Sequence, residues 1–279
     1  MDVKITLLDL GGFSVPITKL IETVSKGIGV LYEPTAKVRA AKADAKKIQI
    51  LAEAQIEKDE LKLRAFERLT HTETRRQLNI DKIVFGAAGF MPEEVEVKEV
   101  EEDWIVSFFQ LCQDTAHPDM QQIWSRLLAG EVATPGAFNI RTLNAVKLLT
   151  PEDARLFTRL GTFVFIHSHG IPFYPHLKST FFQYVRRNGI SAAEEMHLQD
   201  IGLLSSVLTS FPELPSTLHY FSDEYEFCTN NIGFESSNKL RGFPLTKVGR
   251  ELHSIAGASA DHEYIRVLVD DGVIKPRSV

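Results

Sequence analysis

Cysteine is scarce in this chain. The two cysteines, Cys112 and Cys228, stand far apart, and neither belongs to a Cys-x-x-Cys pair. That excludes a disulfide framework and a zinc site built on paired thiolates; two reduced thiols are expected. Long apolar runs are missing as well: no stretch reaches the roughly 18 residues that a membrane-spanning helix needs. The opening residues, MDVKITLLDLGGF, have neither the basic start nor the extended apolar core of a secretory leader. A cytoplasmic location is the expectation. Positive charge is not in excess either. The net charge of −6 argues against a wide grip on nucleic acid, while leaving room for a local basic patch. There is no Gly-x-x-x-x-Gly-Lys phosphate loop and no Gly-x-Ser-x-Gly nucleophile elbow. No catalytic residue and no cofactor is therefore expected, although a site built from scattered residues would leave no such trace.

What is present points to helix. A hydrophobic fraction of 44% supplies a core, and 279 residues suffice for one large domain or two to three small ones. Over residues 14–32, Ser14 can cap a helix and Pro16 suits its first turn. Ile17, Leu20, Ile21, Val24, Ile28 and Leu31 then recur on one stripe. This predicts a helix docked on the protein's own core or on a second subunit. A membrane-interface helix is the alternative, disfavoured by the small polar face.

Residues 35–78 contain no Gly or Pro and are rich in Ala, Lys, Glu, Gln and Leu, a composition that favours helix throughout. At ~1.5 Å per residue, such an arm would run roughly 65 Å. A small domain could not cover it, so it is expected to serve a partner or a second copy. Ala41, Ala45, Ile48, Ala52, Ile56, Leu63 and Phe66 trace an approximate stripe, which Asp59 interrupts. The first half carries Lys37, Arg39, Lys42, Lys46 and Lys47 against Asp44 alone. These five cations are the candidate interaction residues, toward phosphates of lipid or nucleic acid, unless they form an ordinary solvated face.

The acidic stretch 92–104 reads as a surface linker and the best domain boundary. Dense helical patterning follows to residue 160. Trp104, Phe108, Phe109 and Cys112 share one face, and Met120, Trp124, Leu127 and Leu128 another. Thr150-Pro151-Glu152-Asp153 has the order of a cap, a first-turn proline and an acidic first turn. Strand-prone runs lie at 163–166, 218–221, 225–229 and 232–235, and the run from Phe243 to His253 reads as opening a helix. A helix ending at Gly202, then strands, then Thr246 capping a further helix is the element order of a winged helix-turn-helix. The expected class is mainly α with a small α+β part. It comprises an N-terminal helix and long helical arm (1–91), a compact helical domain (92–165) and a winged-helix-like module (166–279).

Three features invite a test for chemistry. His167, His169 and His176 lie close in sequence, but no Cys, Asp or Glu in that segment completes a ligand set, so no bound metal is expected. Glu194 and Glu195 beside His197 form a weak cluster. Glu131 and Arg141 flank a Pro-Gly turn and are expected to tie it as an ion pair. Around them, Trp124-x-x-Leu127-Leu128-Ala129-Gly130-Glu131, Pro135-Gly136 and Arg141-Thr142-Leu143 form a structural motif. This motif resembles an uncharacterised bacterial domain of unknown function. It is also similar to the abortive-infection alpha proteins of anti-phage defence, which share the tryptophan helix and end in a Gly-Leu … Leu-Thr-x-x-Gly segment. The likeness covers residues 103–252. A narrower resemblance is to the sensor-like component of a jumbo-phage-killer system. It implies a non-enzymatic interaction or sensing protein acting through protein contacts, with a second defence component, a phage product or a second copy as partner. A DNA-binding winged-helix regulator using Arg186, Arg187, Lys239 and Arg241 is the alternative; a metal-dependent enzyme at the histidines is the third reading. Peripheral membrane contact through the basic segment is a further possible role.

Overall fold

A computed structural model describes residues 14–29, 60–177, 180–211, 217–228 and 240–277. The chain divides into two units, Met1–Lys147 and Leu148–Val279. This division differs from boundaries after residues 91 and 165. The acidic stretch is strapped to the first unit. The Glu96 backbone N–H donates to the Ala133 carbonyl at 2.9 Å, and Lys26 pairs with Glu99 at 2.7 Å.

The described part of the first unit is helical. Helix α1 (Val15–Ile28) has Ser14 at its N-cap position, but the cap rests on Pro16 in the first turn, since the serine side chain makes no capping bond. It buries Leu20, Ile21 and Val24, and its main partner is α3 (Glu102–Cys112). Gly27 permits this approach: a Cβ there would stand 2.6 Å from Ile105 and 2.7 Å from Phe109. Helix α1 is thus docked on the unit's own core. Helix α2 (Glu60–Ala88) runs ten residues past the expected end of the arm, because the apolar run after Leu78 continues the same helix. Its last turns pack Ile80, Ile83, Val84 and Ala87 chiefly on α4 (Pro118–Ala133). Polar bonds set the register of this contact. Asn79 donates to the Gln113 carbonyl at 2.9 Å, Gln121 to the Asn79 side chain at 3.2 Å, and Ser125 to the Ile83 carbonyl at 2.8 Å. Buried groups of this kind are costly when mispaired, so a slip along α2 is penalised. Helix α5 (Ile140–Leu148) completes the described unit.

The second unit begins with α6 (Pro151–Gly161), capped reciprocally by Thr150 and Asp153 as the local sequence predicts. Among the described residues its centre is a seven-stranded antiparallel sheet: β1 (Phe165–His167), β2 (Pro172–Pro175), β3 (Thr209–Phe211), β4 (Thr217–Tyr220), β5 (Asp223–Phe227), β6 (Leu240–Pro244) and β7 (Ile274–Pro276). The order is β3-β6-β2-β1-β4-β5-β7. Helices α7 (Thr180–Arg187), α8 (Ala192–Asp200), α9 (Lys247–His253) and α10 (His262–Asp270) accompany it. The sheet is wider than a small α+β part. Its strands have three to five residues, too short to display a two-residue period in sequence. The run expected to open a helix at Phe243 is instead β6, paired on both sides, and α9 starts only after Thr246. Run 232–235 lies outside the described residues.

The sheet curls strongly. Phe211 on β3 lies three strand steps from His167 on β1, about 14 Å in a flat sheet, yet their rings stack at 4.9 Å. The concave interior is aromatic. Tyr264 of α10 is fully buried, with Phe163, Phe165, Phe181, Tyr184 and Tyr220 around it at 5.2–6.3 Å.

Candidate functional site

The exposed half of α2 is the surface least explained by folding. Lys62, Phe66, Leu69, Glu73, Arg76, Ile80, Ile83 and Ala87 follow alternating spacings of four and three residues, so all eight lie on one side of the helix. The lower members, Ile80, Ile83 and Ala87, are buried in the bundle. The upper members are not. No residue from Glu60 to Leu78 is buried, and Leu69 is 57% exposed. At the junction, Arg76 donates to Asp114 at 3.1 Å and to Glu73 at 2.9 Å, and Arg75 reaches Asp114 at 3.0 Å. The arginine pair holds the Asp114 carboxyl below its ordinary range, Arg76 contributing most. The seam therefore runs out of the core on a braced helix, with Phe66 and Leu69 as its apolar members among Lys62, Glu73 and Arg76. Sequence patterning detected helix here but read the stripe through residues farther upstream. Of that stripe Leu63 and Phe66 fall on α2, while Ala41, Ala45, Ile48, Ala52 and Ile56, with Lys37, Arg39, Lys42, Lys46 and Lys47, lie outside the described residues.

The tryptophan motif is core. Trp124, Leu127 and Leu128 are fully buried. Glu131 is buried too, and its carboxylate closes the following turn: Gly136 N–H donates at 2.6 Å and Phe138 N–H at 2.9 Å. The expected Glu131–Arg141 pair is replaced by this backbone cradle. Arg141 is exposed at the start of α5, where its N–H donates to Asn139. Backbone donors three-dimensionally close across a turn leave no sequence signature, whereas an Arg ten residues on does.

Burial pushes the Glu131 carboxyl above its ordinary value of 4.5, against the opposing pull of the two N–H groups. A raised folded-state pKa means that the contribution to stability is full below the unfolded value and lost as pH rises through the folded one. Stability should accordingly fall as pH is raised upward from about 4.5, and Glu131→Gln should flatten that slope in thermal unfolding.

The histidines do not converge on a ligand set. His167 is buried between Phe211 and His169, while exposed His176 sits beyond β2 against Phe243 at 5.6 Å. Among the described residues, no group of three or more His, Cys, Asp or Glu side chains is placed to hold a metal. In the Glu194–Glu195–His197 cluster two of the three polar groups have structural work. Glu194 and Ser191 cap α8 reciprocally, and His197 Nε2 lies 2.6 Å from Asp153, the cap of α6. Burial pushes the Glu195 carboxyl up and the Cys112 thiol up further, so the latter is not a reactive thiolate. Among the described residues, no helix is long and apolar enough to cross a membrane.

The sequence pattern of a family described as "Protein of unknown function (DUF2806)" matches residues 63–269, well over half of the chain. The chain belongs to the DUF2806 family. The DUF2806 match begins within the exposed turns of α2, three residues before Phe66, and ends in the last turn of α10. It thus takes in the tryptophan motif, six of the seven strands and the stripe from Phe66 onward. No curated protein and no solved structure matches the chain.

Proposed function

We propose that this protein acts through protein–protein contacts rather than chemistry, as an interaction or sensing component of anti-phage defence. One observation carries the contact reading: the heptad stripe of α2 leaves the core at Glu73 with Leu69 exposed and Phe66 only half-buried. An amphipathic helix face outside a folded core is a docking surface for another helix. The defence setting rests on the sequence resemblance of the tryptophan motif and the Gly-Leu … Leu-Thr-x-x-Gly ending to abortive-infection alpha proteins.

A second reading takes support from element order alone: α7 and α8 are followed by β3, whose antiparallel partner is β6, with β4 and β5 between them in the chain, and α9 comes after β6. Arg186 and Arg187 are exposed at the end of α7. The outward face of α8 speaks for protein rather than DNA as its ligand. It presents Ala192, Ala193 and Met196 (62% exposed) with Asp200, and α8 has no Lys or Arg. A recognition helix reads base edges with basic or amide side chains, and carboxylates repel phosphates.

The test uses the full chain as bait in bacterial cells during phage infection, with bound proteins identified by mass spectrometry. A protein partner recovered in near-stoichiometric yield is expected, together with its loss in Leu69→Asp. Because Leu69 is exposed, that variant should unfold within about 0.5 kcal/mol of the parent. Retention of the partner by Leu69→Asp would overturn the α2 reading. Sub-micromolar binding of mixed duplex DNA by the full chain, weakening steeply with salt, would put the regulator in its place.

A further inference from the structure

We propose that the exposed half of α2 pairs antiparallel with the same segment of a second copy of this chain, about a two-fold axis between Glu67 and Arg68. This rests on the reading of α2 as a partner surface and names the partner. This stripe holds two apolar residues, half-buried Phe66 and exposed Leu69, flanked along the seam by two charges of opposite sign, Lys62 and Glu73. That arrangement is self-complementary in one direction only. Antiparallel pairing about this axis sets Phe66 on the partner's Leu69 and Lys62 on the partner's Glu73, and two-fold symmetry repeats each contact. Parallel pairing sets Lys62 against Lys62 and Glu73 against Glu73, placing like charges in the seam.

The neighbouring positions fit the same axis. Ala65 falls opposite the partner's Thr70 and Leu63 opposite the partner's Thr72, so small or uncharged side chains border the seam and the helices can approach closely. Glu73 also accepts from Arg76 of its own helix at 2.9 Å, which orders its carboxylate along the seam. Arg76, held by Asp114, marks where the bundle takes over the stripe and the contact ends. From Lys62 to Glu73 the overlap is about 17 Å, short for a standard interface, so the dimer is weak and concentration-dependent.

The test is sedimentation equilibrium of the full chain over a micromolar concentration series. A reversible dimer is expected. Lys62→Glu acts twice in a symmetric pair, turning two attractions into two repulsions, and should weaken dimerisation about tenfold; Glu73→Lys should do the same. The double variant, Lys62→Glu with Glu73→Lys, should recover the parent's association. Leu69→Asp should abolish the dimer with thermal unfolding unchanged. A monomer at every concentration overturns the proposal, as does a dimer indifferent to the single swaps or not rescued by the double. If the chain is monomeric but Leu69→Asp still loses a captured protein, the self-pairing fails while the α2 docking surface stands. If Leu69→Asp changes neither, both fail.

Discussion

Trp124→Ala is expected to lower the stability of the first unit by about 3–5 kcal/mol. Typical domains have only about 5–15 kcal/mol in total, so this single change should bring the unit close to unfolding. Trp124 is fully buried on α4 between Phe108 and the rest of the helical core. Phe108 meets it edge-on at 5.3 Å and 83°, and itself stacks on Trp104 at 5.3 Å and 18°. The Trp104 indole N–H then donates to the Phe138 carbonyl at 2.8 Å, in the turn that Glu131 closes. Deleting the Trp124 ring leaves a cavity at the start of this chain of contacts. The fully buried Leu127 and Leu128 cannot move to fill it without vacating their own places. Denaturant unfolding followed by circular dichroism measures the loss, with Trp104 as an internal fluorescent reporter. A variant as stable as the parent but unable to retain a partner would instead make the motif a recognition surface.

The second large effect is expected from Gly249→Ala in α9. A Cβ at this position would stand 2.0 Å from the Leu203 carbonyl oxygen and 3.0 Å from its carbon. The obstacle is backbone, and it is pinned: Leu203 O accepts from Thr246 N–H at 3.1 Å, and Leu204 bridges to Leu245. Thr246 simultaneously caps α9 by accepting from Gly249 N–H at 3.0 Å. Overpacking commonly costs about 1–3 kcal/mol; with no side chain able to swing aside, about 3 kcal/mol or more is expected here. Gly202→Ala is the informative control. Its φ of 76° is left-handed and nothing lies within 4 Å of the added carbon, so only the backbone conformation is tested. That penalty should be about 1–2 kcal/mol. Thermal unfolding of the two variants therefore separates close approach from conformational strain; equal losses would show that the contact with Leu203 relaxes.

Legibility followed the range of the interaction. The caps at Thr150 and Thr246 and the apolar faces of α1, α3 and α4 arise within a few residues, and they stand where sequence reasoning puts them. The candidate surface on α2 was half legible. A breaker-free stretch announces a helix, but which stripe the core uses depends on α4, more than thirty residues on. The Glu131–Arg141 expectation failed for a related reason. Opposite charges ten residues apart suggest a pair, whereas the N–H groups that hold Glu131 belong to every residue type alike. Acidity and proline at residues 92–104 mark exposure, but they carry no sign of the bonds from the Glu96 N–H and from Lys26 that tie this stretch to the first unit.

The sequence by itself determined the helical character, the absence of familiar catalytic loops, the positions of the caps and the membership of Trp124, Leu127 and Leu128 in an apolar face. These follow from backbone propensity, residue inventory and the 3.6-residue period, all readable locally. Tertiary structure alone decided the seven-stranded order, the curl that lays Phe211 on His167, the division at Lys147 and Leu148, and the point on α2 where the core stops and the stripe is left exposed. Each depends on which distant segments meet. That is settled by burial of the whole apolar surface and by satisfaction of the polar groups trapped with it, and no window of neighbouring residues contains either quantity.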